Sequence, residues 1–224
     1  MNLRMANSIL AGVLLSASFL SAQAASGEAQ LLGTWVAVHR SLGGLGSMVT
    51  FLPGGKLEMS VGAIVEGWYR IEGDKLVLPP GTTSGKPTVT PFRVEGDTLY
   101  ENEMRFLRVG KAAAGAEPIV GVWCAEPQAR AGELIEYTRD GLIKFRLPMR
   151  TTLGTYDMVH QTFALEGEAK HGGRFRLENG LLVLTLPDGK GEDRFIRANA
   201  TKEELKRAGV RYGDKPAELD PPVR

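Results

Sequence analysis

Cysteine is nearly missing from this chain. Cys124 is the single one in 224 residues, so no disulfide can form within it. The fold must hold by apolar core and hydrogen-bonded ladders alone. Histidine is scarce as well. His39, His160 and His171 stand far apart, without the close spacing that zinc ligands show. No Gly-x-Ser-x-Gly, His-Glu-x-x-His or phosphate loop is present, so no nucleophile–base set or metal set is legible. We expect no enzyme, no metal and no cofactor. Charge of one sign is lacking too. The chain has 27 basic and 26 acidic residues, and loss of Arg4 with a leader brings the remainder to zero net charge. Neither half is skewed: 25–110 has 8 basic and 9 acidic residues, and 119–198 has 11 of each. A nucleic-acid binder or a polybasic membrane binder would be one-sided. Long apolar runs are also missing. The run from Ile9 to Leu20 is about a dozen residues, too short to span a bilayer comfortably.

That short run has another reading. Arg4 precedes it and Ser21-Ala22-Gln23-Ala24 closes it, which together make a secretory signal peptide over 1–24. No cysteine follows for lipid attachment. The expectation is a periplasmic or secreted protein with no stable membrane insertion after cleavage.

What is present is one sentence written twice. Residues 33–109 carry Gly33-Thr34-Trp35, Gly67-Trp68-Tyr69, Phe92-Arg93-Val94-Glu95-Gly96 and Phe106-Leu107-Arg108-Val109. Residues 121–198 answer with Gly121-Val122-Trp123, Gly154-Thr155-Tyr156, Phe175-Arg176-Leu177-Glu178-Asn179-Gly180 and Phe195-Ile196-Arg197-Ala198. Matched blocks are offset by 88, 87, 83 and 89 residues, a drift that small loop insertions explain. This is an internal duplication.

Turn signals recur through both halves, among them Pro53-Gly54-Gly55, Glu72-Gly73-Asp74, Arg139-Asp140-Gly141 and Glu178-Asn179-Gly180. Short alternating or wholly apolar runs lie between them, and Asn-Gly between such runs signals a hairpin. About eight short strands per half, joined by tight turns, predict an all-β fold of two tandem up-and-down antiparallel barrels. The expected domains are 30–109 and 119–198, with a small-residue linker over 110–118. In the remaining segment, 199–224, Thr201 as N-cap, Glu204 three residues on, basic residues in the last turn and Gly209 as the stop predict a short helix before the tail.

With Gly-x-Trp on the first strand, Gly-x-Tyr near the middle and aromatic-x-Arg on the last, each half resembles the small lipocalin-like domains of bacterial exported proteins. The resemblance covers nearly all of 31–198. It implies that a first-strand Trp plugs one end of each barrel, with a last-strand Arg packed across it. Trp35 is then expected beside Arg108, and Trp123 beside Arg197. A guanidinium over an indole contributes about 0.5–2 kcal/mol.

Tyr69 and Tyr156 are expected to point into the barrels, where they contact a ligand or fill the core. Eight strands enclose an interior that side chains can fill or that holds one small ligand. Trp68 takes the outward phase. It is expected either to dock within the chain, on the linker or the C-terminal helix, or to present an interaction surface. Glu101 and Glu103 are expected to face water. Gly43-Gly44-Leu45-Gly46 reads as a loop after the first strand, and Cys124 as a buried or interface thiol. Two functions fit these readings. One is a non-catalytic binding protein for a small apolar or aromatic molecule. The other is a protein-interaction module, an inhibitor or accessory subunit of the bacterial envelope.

Overall fold

The computed structural model describes residues 27–41, 44–79, 86–112, 114–126, 133–167, 172–187, 191–212 and 215–216. The leader at 1–24, His171, the Pro80-Gly81 and Asp188-Gly189 turns and the last residues of the tail lie outside them. After a helical turn, α1, at 27–31, the first half forms β1 (Gly33–Ala37), β2 (His39–Arg40), β3 (Leu45–Leu52), β4 (Lys56–Trp68), β5 (Arg70–Glu72), β6 (Lys75–Leu78), β7 (Thr88–Glu95), β8 (Thr98–Glu101) and β9 (Met104–Val109). The second half forms β10 (Gly121–Ala125), β11 (Leu134–Tyr137), β12 (Leu142–Asp157), β13 (Thr162–Leu165), β14 (Gly172–Glu178), β15 (Leu181–Thr185) and β16 (Glu192–Arg197). Helix α2 (Lys202–Ala208) and the short strands β17 (Arg211–Tyr212) and β18 (Lys215–Pro216) follow. The turns obey the chemistry read from sequence. Asn179 and Gly180 take φ of 53° and 78°, the paired positive angles that a two-residue hairpin loop needs. Helix α2 has the expected N-cap Thr201, a capping box with Glu204, and Gly209 in the left-handed C-cap conformation.

The strands β1 and β3–β16 form one large antiparallel sheet, in the order β13-β14-β15-β16-β1-β3-β4-β12-β11-β10-β9-β8-β7-β6-β5. A further pairing of β13 with β12 closes part of it into a ring of β1, β3, β4 and β12–β16. Call this ring 1. The other part runs from β12 through β11–β5, and β5 continues β4 after Tyr69 alone. The chain itself thereby brings that part back to its start, as ring 2.

This corrects the expectation of one ring per half. Ring 1 takes its first strands from the first half and β12–β16 from the second. Ring 2 takes β5–β9 from the first half and β10–β11 from the second. The exchange follows from strand length. With 13 and 16 residues, β4 and β12 are about 40–50 Å long at ~3.3 Å per residue. That outreaches a ring whose other strands have 4 to 8 residues. The two long strands pair along their length, from Leu142↔Trp68 to Thr155↔Lys56, and the ribbon serves as a wall of both rings.

Two features fit the ribbon to both rings. At Gly62 the facing backbone leaves no room for a side chain; a Cβ there would sit 2.1 Å from the Leu147 carbonyl oxygen. The register then shifts between Pro148 and Arg150, leaving Met149 as the extra residue of a β-bulge. One apolar cluster fills each ring: Leu31, Trp35, Phe51, Leu57, Phe163, Phe175 and Phe195 with neighbours in ring 1, and Leu76, Leu99, Phe106, Ile119, Trp123 and Ile135 with neighbours in ring 2. A third cluster covers the outside of ring 1, where Val36, Met48, Ile64, Leu142 and Ile196 pack with Leu205 of α2. Beside it, buried Arg40 donates from Nη2 to Glu66 Oε1 at 3.0 Å and from Nε to the Ala37 carbonyl at 2.9 Å. Lys144, opposite Glu66 in register, donates to the Ala198 and Ala200 carbonyls at 3.2 and 2.6 Å. These bonds tie the C-terminal segment to the ribbon and satisfy charges that burial alone would penalise.

A protease site placed in the 110–118 linker tests the exchange. After complete cleavage the two fragments should co-elute as one particle under native conditions and part only on denaturation. Fragments that separate without denaturant would mean two independent barrels.

Candidate functional site

The tryptophan plugs are built to one plan. Trp35 Nε1 donates to the Leu31 carbonyl at 2.8 Å, and Trp123 Nε1 to the Ile119 carbonyl at 2.7 Å. The acceptor is four residues back in both. A guanidinium carbon lies 4.0 Å from each ring centroid, but from the other half of the chain: Arg197 covers Trp35, and Arg108 covers Trp123. The expected partners are thus exchanged, because β1 pairs with β16 and β10 with β9. Arg108 also donates to the Val120 and Pro118 carbonyls at 3.0 and 2.7 Å. Arg197 donates to the matching carbonyls of Leu32 and Gln30. Each arginine therefore clamps the segment that closes one end of its ring. The glycine of Gly-x-Trp has a reason in the same geometry. Gly33 and Gly121 have φ of 106° and 144°, and a Cβ would lie 3.1 and 2.6 Å from the arginine Nη1.

Tyr156 and Tyr69 lie in matching places. Tyr156 meets Phe51 edge-on at 5.1 Å, and Tyr69 meets Tyr137 edge-on at 5.0 Å. The Tyr156 hydroxyl is 2.8 Å from Glu28 Oε1 and 3.0 Å from the Leu52 carbonyl. Burial, with the Glu28 hydrogen bond next, pushes its pKa up to about 12. The Tyr69 hydroxyl donates to the Thr138 carbonyl at 2.9 Å. Both tyrosines are hydrogen-bonded members of the packed interior. Trp68, expected either to dock within the chain or to present an interaction surface, is 2% exposed opposite Leu142. Its outward phase is right, but the chain covers it. Cys124 is half-buried, its Sγ 3.6 Å from the Ala125 carbonyl. Among the described residues no cluster of His, Cys, Asp or Glu could hold a metal ion, and no helix is long and apolar enough to cross a membrane.

The two interiors differ in polarity, which sequence reading missed. Register makes Tyr137 the counterpart of Phe51 and Glu101 the counterpart of Leu184. Glu101 accepts a hydrogen bond from the Tyr137 hydroxyl instead of facing water as expected. Burial raises its carboxyl pKa, against the Tyr137 hydrogen bond, and the charge of buried Glu133 raises it further. Burial also holds the Tyr137 phenol well above its usual range. A signal for this existed in the aligned halves: the second has Tyr137 where the first has Phe51, and the first has Glu101 where the second has Leu184.

The largest of the described clefts is at the end of ring 1 opposite the plug. It has a volume of about 590 Å³ and is lined by Met59, Val61, Arg150, Thr152, Leu165, Glu166 and Gly167. Met59 and Leu165 pack directly on the ring 1 core, so the cleft is the mouth of that ring. Two clefts of about 320 Å³ lie elsewhere. One is between α2 and the Asn179–Gly180 turn, and the other is beside Phe92, Glu117 and Ile119. Comparison with protein-family models, with curated proteins and with solved structures found no match for this chain.

Two variants of the plug should be destabilised. Trp123→Ala removes a large buried side chain and should cost about 3–5 kcal/mol. Gly121→Ala forces a side chain into a left-handed conformation against Arg108 and should cost about 1–3 kcal/mol. Urea unfolding checks both, and a loss under about 1 kcal/mol for Trp123→Ala would contradict a plug that bears load.

The raised Glu101 carboxyl makes stability pH-dependent. A folded pKa above the unfolded value means that the native state holds the proton longer. The contribution is full below the ordinary carboxylate range and is lost as pH rises through the raised value. Glu101→Gln cannot ionise, so its stability relative to the parent should improve from about pH 4 to pH 8. Paired thermal melts at each pH measure this; a difference that stays constant with pH would mean that Glu101 titrates normally.

Proposed function

We propose that this chain is an exported, non-catalytic binding protein of lipocalin-like build, which takes a small apolar or aromatic molecule at the mouth of ring 1. The observation that carries the reading is the cleft of about 590 Å³ lined by Met59, Val61 and Leu165 above the ring 1 core. Its size is within the range of small-molecule sites, and an apolar wall with a few polar groups is their usual make-up. The site differs from the one expected around Tyr69 and Tyr156, whose hydroxyls and ring faces are engaged inside the rings. Export, to the periplasm or beyond the cell, rests on the leader pattern of Met1 to Ala24. The alternative reading, a protein-interaction module of the bacterial envelope, loses its anchor with the burial of Trp68.

Burying an apolar ligand yields about 25 cal/mol per Å² before ordering costs are subtracted. For a shallow site that corresponds to micromolar affinity. Titration with N-phenyl-1-naphthylamine, an uncharged apolar fluorophore, should give saturable binding in that range. Val61→Trp fills the mouth from a position already half exposed and should weaken binding at least tenfold. Unchanged binding by that variant would place the site elsewhere, and no binding by the parent chain would refute the mouth as a site.

A further inference from the structure

We infer that the molecule taken at the mouth of ring 1 carries a single anionic group, of carboxylate or sulfonate type, which Arg150 receives. This rests on the reading of that mouth as a binding site and adds the chemical class of the ligand. The argument starts from the bulge in β12. In ring 2, Ile143, Phe145 and Leu147 stand opposite Gly67, Val65 and Ala63, and Ile143 and Phe145 pack on the ring 2 core. Continued alternation would place Met149 in the inner phase. The extra residue shifts the phase, so Arg150, Thr152 and Gly154 stand opposite Val61, Met59 and Leu57, and Tyr156 and Leu57 belong to the ring 1 core. The bulge therefore replaces a thioether with a guanidinium on the inner wall.

Arg150 has no ion pair or side-chain hydrogen bond among the described residues. Its neighbour in the strand, Arg146, is held by Glu136 at 3.3 Å. An arginine beside an apolar cleft offers a fork of donors that matches a planar or trigonal anion, and the Thr152 hydroxyl adds a donor two residues along the same wall. Glu166 limits the charge of the ligand. It follows Leu165 in the outward phase, and its backbone N–H donates to the Leu153 carbonyl at 2.7 Å. Glu166 still lines the cleft, so its negative charge at the rim would repel a second negative charge on the ligand. The class is thus an apolar monoanion, with its body on Met59, Val61 and Leu165 and its head at Arg150.

Two probes with one skeleton separate this inference from the reading beneath it. N-phenyl-1-naphthylamine is uncharged, and 8-anilino-1-naphthalenesulfonate adds one sulfonate to the same rings. The mature full chain should bind the sulfonate about tenfold more tightly. Arg150→Met should remove that preference, bringing the ratio of the two affinities to about one, and Arg150→Lys should restore part of it. Glu166→Gln should tighten the anionic probe alone. Equal affinity for the two probes, or a preference that survives in Arg150→Met, would overturn the anion assignment and leave the apolar mouth standing. Failure of both probes to bind would remove the mouth as a site and the inference with it.

Discussion

The pairing of β4 with β12 is the constraint on which the rest of the structure depends. Thirteen residue pairs hold the ribbon in register, and it forms part of the wall of both rings. Each ring borrows strands from the other half because its wall leads there. A local event in the ribbon therefore has consequences in two interiors. The close approach at Gly62 sets how near the strands can lie. The bulge at Met149 sets which β12 side chains face the ring 1 mouth. On its outer side the ribbon carries Ile64, Leu142 and Lys144, which secure the C-terminal helix and the residues before it, and Glu66, which holds Arg40.

The two rings share a backbone solution more closely than they share side-chain chemistry. Both plugs keep the same three parts: a glycine with positive φ, an indole bonded to the carbonyl four residues back, and an arginine that clamps two further carbonyls. The interiors above the plugs have diverged. Ring 1 packs Phe51 and Leu184 into an apolar core, whereas ring 2 places Tyr137 and Glu101 at the matching points, joined by a hydrogen bond. The half-buried carboxyl has the phenol hydroxyl as its hydrogen-bond donor. The ring 1 interior remains apolar up to Met59 and Leu165 at its mouth.

Much of this was legible from local pattern. The Asn179–Gly180 hairpin, the capped helix at Lys202–Ala208 and the phase of Trp68 all follow from rules spanning a few residues, and the structure has them. Trp35, Trp123, Arg108 and Arg197 were expected as plug residues only from what the resemblance of the paired motifs to lipocalin-like domains implies, not from the residues alone. Their pairing was not legible. The two arginines are chemically equal and each half offers the same edges, so closed and exchanged pairings satisfy the same hydrogen bonds. Strand length was the overlooked signal. Lys56 to Trp68 contains no turn pair, and a strand that long cannot stay in one small ring. Glu101 was misplaced for a related reason. Alternation gives the face of a strand, but whether that face meets water or a phenol depends on a strand far away in sequence.

By itself the sequence determined local elements: where the chain turns and which positions alternate toward an interior. These are short-range matters of dihedral preference, hydrogen-bonding capacity and apolar periodicity, and a few neighbouring residues suffice to settle them. The tertiary structure alone decided which half completes which ring, which arginine covers which tryptophan, and that Arg150 rather than Met149 lines the mouth of ring 1. Those outcomes depend on the pairing of strands some ninety residues apart. At that separation the matching motifs of the two halves compete on equal chemical terms, and only the geometry of the shared ribbon distinguishes them.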